Sequence, residues 1–202
     1  MTDYKEEFIN LLMSTRREGI EYVIEDLEEL GFFTAPASTN FHSNNEQGLL
    51  EHSLKVCKVG LMLREQMILM NKDLENQLPL DSVIISTLLH DVCKSNIYKP
   101  AVKKRKNKYG VWEEYKGYDV DYSKFPLGHG EKSVIMLLRM GLDLSDEEIM
   151  AIRWHMTAWD LAFQSPEMRA NINTAREKTP LCCLVQTADS LATNMLEQKP
   201  VL

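Results

Sequence analysis

Apolar residues recur along most of this chain at the spacing of helices buried on one side. Ile20, Val23, Ile24, Leu27 and Leu30 fall at i, i+3, i+4, i+7 and i+10, a single stripe. Glu25, Asp26, Glu28 and Glu29 take the other side, and Gly31 stands where a C-cap belongs. The period is lost over residues 34–47, which read as a loop, and returns from Gly48 to Met70. There Leu50, Leu54, Cys57 and Leu61 lie on one side, with Val56, Leu63 and Met67 elsewhere. A helix apolar around most of its circumference is predicted to be central. Asp81 is placed to cap a helix through Val83–Leu89 that runs into His90-Asp91. Further helices are predicted at 130–140 and 145–156, the second opened by a capping box of Ser145 and Glu148. Ser165-Pro166 and Thr179-Pro180 each place a proline after an N-cap. The last helix carries a broad apolar face from Leu181 to Met195.

Residues 95–127 interrupt this pattern. The basic run Lys103-Lys104-Arg105-Lys106-Asn107-Lys108 sits between Ala101-Val102 and Val111-Trp112 and suggests a β-hairpin insertion with a solvated, basic tip. Nine Gly and seven Pro in 202 residues are too few for an all-β fold, which needs frequent turns. The expected class is all-α, a helical bundle with a small β-hairpin insertion. A helical extension over residues 1–33 is expected to precede the main domain over 34–202.

Composition narrows the function. An apolar fraction of 44% with 26% charged residues excludes a disordered chain. A net charge of −7 argues against a duplex-DNA coat. It leaves room for a small phosphorylated substrate, for which a few local cations or metals suffice. No apolar run reaches the roughly 20 residues of a membrane helix. The start, Met1 to Glu7, is charged rather than signal-like. A cytoplasmic location follows as the expectation, with Cys57, Cys93, Cys182 and Cys183 as unpaired core residues.

The candidate chemistry lies in a few histidines and acids set in apolar helices. His52 opens the long helix, His90-Asp91 ends the next, and Asp189 lies inside the last. A buried carboxylate needs a basic partner or a metal. Neutral imidazoles and carboxylates together suit divalent ions. His129 precedes a predicted helix start, where the dipole disfavours imidazolium and keeps a nitrogen lone pair free.

These residues resemble the HD-domain superfamily of metal-dependent phosphohydrolases, whose signature is His…His-Asp…Asp. The matching words are Gly48-Leu49-Leu50-Glu51-His52-Ser53-Leu54, Leu88-Leu89-His90-Asp91-Val92-Cys93-Lys94, Gly128-His129-Gly130-Glu131-Lys132-Ser133 and Thr187-Ala188-Asp189-Ser190. Phe41-His42 ahead of the first word is similar to the branch containing the HD domain of a bacterial 3′–5′ exoribonuclease. The resemblance covers about residues 41–196 and implies an HD-domain bundle.

It also implies that His52, His90, Asp91 and Asp189 ligate a first metal. His129 and His155 match the further histidines of two-metal branches, with Asp91 bridging. The implied activity is hydrolysis of a phosphoester in a nucleotide, cyclic nucleotide or short nucleic acid by a metal-activated hydroxide. Two divalent ions are expected, with Fe, Mn, Mg, Ni and Zn not distinguished. Asp91 and Lys94 are the candidate catalytic residues, Lys94 placing a cation against phosphate. HD nucleotidases acting on 5′-deoxynucleotides carry an acid at that offset, so Lys94 departs from them. His42, reaching from the loop, and Trp154, stacking a base, are further substrate-binding candidates beside Lys94. Trp154 and Trp159 also suit a core role, and residues 103–108 either steer an anion or form a solvated tip. Two other readings stay open: a mixed-valence di-iron oxygenase with a similar ligand set, and a non-catalytic nucleotide-binding module.

Overall fold

The structure, a computed structural model, describes residues 4–39, 43–121, 123, 125, 127–157 and 166–197. The chain forms α1 (Tyr4–Ser14), α2 (Ile20–Glu29), α3 (Gly48–Met70), α4 (Leu74–Gln77) and α5 (Leu80–Leu89). A 3₁₀ turn, Val92–Lys94, leads to strands β1 (Tyr98–Lys106) and β2 (Trp112–Val120). Then come α6 (His129–Arg139), α7 (Asp146–Trp154), α8 (Pro166–Lys178), α9 (Pro180–Leu191) and a π-helical turn, Ala192–Leu196. It is a helical bundle with one antiparallel hairpin. Among the described residues, no helix is long and apolar enough to cross a membrane.

The long apolar helix α3 is central, as its pattern predicts. It packs against α1, α5 and α9, and Leu49, Leu50, Leu54, Val56 and Cys57 are buried. Phe8 and Leu12 of α1 and Val23 and Leu27 of α2 share one apolar cluster with α3 and α5. A second cluster joins Ala151 and Trp154 of α7 to Ile172 of α8 and Leu181 and Val185 of α9. Two glycines set how closely helices cross. A Cβ on Gly60 would lie 2.9 Å from Thr87 Cγ2, so its absence lets α3 and α5 approach. A Cβ on Gly130 would lie 2.2 Å from the Arg153 carbonyl oxygen, so only glycine lets the start of α6 lie on the end of α7.

Local expectations meet mixed outcomes. Gly31 takes the left-handed conformation past α2 (φ +79°). Both bonds of the Ser145–Glu148 capping box form, at 3.3 and 3.0 Å. Asp81 is not a cap: α5 begins at Leu80 behind Pro79, and the Asp81 carboxylate instead accepts from Arg17 Nε at 2.9 Å. Thr179 holds the N-cap position of α9 but makes no capping bond; Ser165 lies outside the described residues. The α-helical part of the last helix ends at Leu191, and Met195 in the π-helical turn that continues it is exposed. Cys57, Cys93 and Cys182 are buried, but Cys183 is exposed.

The basic run proves to be mostly strand rather than tip, because β1 extends to Lys106 and the turn is Asn107–Val111. Three of its five charges meet carboxylates across the hairpin. Arg105 meets Glu113 at 2.7 Å, Lys104 meets Glu114 at 3.5 Å and Lys103 meets Asp119 at 3.4 Å.

Candidate metal centre

Three helix ends and two helix interiors supply the site. His90 is the residue on which α5 closes, and Asp91 opens the next turn. His155 closes α7 in the same way, and His129 is the first residue of α6. His52 comes from within α3 and Asp189 from within α9. The Gly60 and Gly130 crossings bring these elements into contact, so six residues spread over 138 positions of sequence meet in one place.

Their donor atoms face inward. His52 Nε2 lies 3.2 Å from His90 Nε2 and 3.4 Å from both Asp91 Oδ2 and Asp189 Oδ1. His90 Nε2 is 3.4 Å from Asp91 Oδ2 and 4.0 Å from Asp189 Oδ1. On the other oxygen of the same carboxylate, Asp91 Oδ1 lies 2.5 Å from His129 Nε2 and 3.4 Å from His155 Nε2. Three sets have ligand atoms all within 4.8 Å of one another: His52-His90-Asp91, His90-His155-Asp189 and Asp91-His129-His155.

The outer nitrogens are tied down. His90 Nδ1 pairs with the Thr87 carbonyl at 2.8 Å, and His155 Nδ1 with the Ile152 carbonyl at 2.7 Å. A carbonyl only accepts, so each Nδ1–H donates and each ring is held with Nε2 turned to the centre. His52 Nδ1 faces the Glu197 carboxylate at 3.0 Å. Among the described residues, buried His155 Nε2 has no partner in hydrogen-bond geometry, an arrangement that costs free energy unless something binds there. A divalent cation fits this donor set of imidazoles and carboxylates.

The charges are strongly coupled. Burial alone would raise the Asp91 carboxyl, but Lys94, His90 and His129 hold it well below the usual carboxylate range. Burial works likewise against the charge of Asp189, and His90, His52 and His155 outweigh it. Burial opposes protonation of His52, yet bonds to Asp91 and Glu197 push it up to about 9. His155, with burial dominant, is pushed down. His129 departs from the helix-dipole expectation. Burial opposes its protonation too, but Cys93 and Asp91 raise it to about 10. A carboxylate in direct contact outweighs the partial charge of a helix end.

Lys94 Nζ donates to Asp91 Oδ2 at 2.6 Å and lines a cavity of about 420 Å³ together with Asp91, His155 and Asp189. Arg176 also lines the cavity, and its Nε donates to Gln186 Oε1 at 2.8 Å. Gln186 is itself fixed by donating to the Trp154 carbonyl at 2.9 Å. The Trp154 ring is packed in the α7–α9 cluster with Arg153 over its face, and Trp154 does not line the cavity. His42 and Trp159 lie outside the described residues. Arg176, Gln186 and Glu197 are absent from the sequence-based candidates. Each is a polar residue whose partner is distant or whose helix shows no pattern around it.

The fold and this cluster of histidines and aspartates define a helical protein built around a prospective divalent-metal centre. The HD domain family matches residues 49–194, and the chain belongs to it. It is also 30% identical over 88 residues to the dihydroneopterin 2′,3′-cyclic phosphate phosphodiesterase of Methanocaldococcus jannaschii. That stretch is 44% of this chain and 32% of the relative, so the match spans about a third of the relative's length. No solved structure matches the chain.

Proposed function

We propose that the chain is a metal-dependent phosphohydrolase that opens a phosphodiester in a small nucleotide-like substrate. The observation that carries this reading is the position of Asp91. One carboxylate faces four imidazoles and Lys94 and lines a cavity. His52, His90, Asp91 and Asp189 would hold one ion, and Asp91, His129 and His155 a second. Divalent ions in such a site polarise a phosphoryl oxygen and lower the pKa of water enough to give a nucleophile at neutral pH.

The protein's own groups do the rest. Lys94 sets an ammonium beside the carboxylate, where it neutralises phosphoryl oxygens as negative charge builds in the transition state. Arg176, held by Gln186, offers a second cation to the same cavity. A cavity of about 420 Å³ suits a small ligand rather than a duplex. The named relative acts on a 2′,3′-cyclic phosphate, which makes that class the first to test. Hydrolysis adds water across one P–O bond, and the proton goes to the departing ribose oxygen.

The test is a panel of 2′,3′- and 3′,5′-cyclic nucleotides, nucleoside monophosphates and short oligonucleotides, with the protein loaded separately with Mn²⁺, Fe²⁺, Ni²⁺, Mg²⁺ and Zn²⁺. Opening of a cyclic phosphodiester that stops on chelation is the expected result. No cleavage of any member overturns the proposal. Oxygen uptake by the iron-loaded protein would replace it with the di-iron oxygenase. A tightly held, intact nucleotide would replace it with a binding module.

A further inference from the structure

Glu197 follows the π-helical turn Ala192–Leu196 and stands three residues past the segment that matches the HD family. Its side chain is 1% exposed, and its two carboxylate oxygens lie 3.0 and 3.3 Å from His52 Nδ1. Oε2 also accepts a 2.8 Å hydrogen bond from Ser43 Oγ, in the loop ahead of α3. The same π-helical turn contributes Thr193 and Asn194 to the cavity wall. One carboxylate therefore ties a histidine of the centre, the loop before α3 and a wall of the cavity.

We infer that Glu197 is a positioning residue for His52, and that through it metal loading seats the C-terminal turn against the cavity. The inference rests on His52 being a metal ligand, as in the proposed function. An imidazole whose Nδ1 donates to a carboxylate keeps its Nε2 lone pair aimed at the ion and gains basicity. The dependence runs the other way as well. A carboxylate buried this deeply is costly without its partners, so the turn stays seated only while His52 keeps its ligand orientation. Linkage then fixes the sign. Whatever binds Nε2 tightens the seat of the turn, and whatever frees the turn weakens that binding by the same factor. Thr193 and Asn194 line the cavity with the turn seated, so metal loading also completes the pocket for substrate. The helix changes from α to π pairing just before Glu197, a local irregularity frequent at functional sites.

The experiment uses the full chain with Mn²⁺ alone and no substrate. Amide hydrogen exchange over residues 192–197 is followed with and without the ion. Mn²⁺ affinity is measured by calorimetry for the wild type, Glu197→Ala and Glu197→Gln. In the wild type, Mn²⁺ slows exchange in the turn. Glu197→Ala weakens Mn²⁺ by about 10- to 100-fold, the usual effect of losing an outer-shell partner, and abolishes that protection while α5 is unaffected. Glu197→Gln, whose amide oxygen still accepts from Nδ1–H, recovers most of both. Exchange in the turn that ignores Mn²⁺, or wild-type affinity in Glu197→Ala, overturns the inference while leaving the metal centre intact. A wild-type chain that binds no Mn²⁺ overturns the metal reading and this one with it. Should Glu197→Ala fail to fold, the wild-type exchange comparison decides alone.

Discussion

His129 Nε2 lies 2.5 Å from Asp91 Oδ1, so the first residue of α6 and the residue after His90 meet on one carboxylate. The other oxygen of that carboxylate faces His52 and His90 at 3.4 Å. In the proposed assignment Asp91 belongs to both ion positions, so its loss should empty both. For Asp91→Ala, divalent ion content should fall to background and turnover should vanish with it. Elemental analysis and thermal melts check this: a chelator should lower the melting temperature of the wild type and leave that of the variant unchanged. Retained metal and activity in Asp91→Ala would discard the assignment of the site.

Lys94 separates charge from coordination. Its ammonium bonds Asp91 at 2.6 Å and lines the cavity, but it cannot ligate a cation. Lys94→Met keeps the stem and removes the charge. Metal content should stay at the wild-type level. The rate constant kcat should fall about 100- to 1,000-fold, the scale for removing one donor to developing oxyanion charge. Steady-state kinetics beside metal analysis make the check. An unchanged kcat would reduce Lys94 to a structural partner of Asp91.

Gly130 is where helix packing meets the site. A Cβ there would lie 2.2 Å from the Arg153 carbonyl oxygen and 2.8 Å from that of Ile152, both backbone atoms that cannot swing aside. Gly130→Ala should therefore push α6 off the end of α7 and part His129 from His155. Overpacking of this kind costs about 1–3 kcal/mol, readable from urea unfolding. The sharper expectation is stoichiometric: two ions per chain should become one, held by His52, His90, Asp91 and Asp189. Two ions retained in Gly130→Ala would count against the geometric argument.

What could be read from the sequence follows from which interactions are periodic. The stripes of α2 and α3 need only a helix with an inside, so Ile20 to Leu27 and Leu49 to Cys57 declare themselves. His52, His90-Asp91 and Asp189 stand out because polar side chains in apolar helices demand partners. Arg17 and Glu197 give no such sign. Arg17 finds Glu148 131 residues away, and Glu197 finds His52 145 residues away. Neither pair is implied by any local pattern. Asp81 looks like a cap only while Arg17 is out of view. The basic run reads as a solvated tip or an anion guide only until the register sets Glu113 and Glu114 opposite Arg105 and Lys104.

Arg17 supports the site from the far ends of the helices. It donates to Asp81 Oδ2 and to the Asp143 carbonyl, each at 2.9 Å, and its remaining nitrogen pairs with Glu148. Asp81 and Glu148 lie in the first turns of α5 and α7, and these two helices end on His90 and His155. The Glu148 carboxylate is fully buried, so Arg17→Met would leave it, among the described residues, with the Ser145 backbone N–H at 3.0 Å. Removing one partner of such a pair costs about 3–5 kcal/mol, against at most about 1 kcal/mol for an exposed pair. Urea unfolding distinguishes these values. Adding Glu148→Gln to Arg17→Met should return part of the loss, because the uncompensated charge goes with it. A loss under about 1 kcal/mol for Arg17→Met, with no recovery in the double variant, would show that Arg17 does not hold the two helix starts.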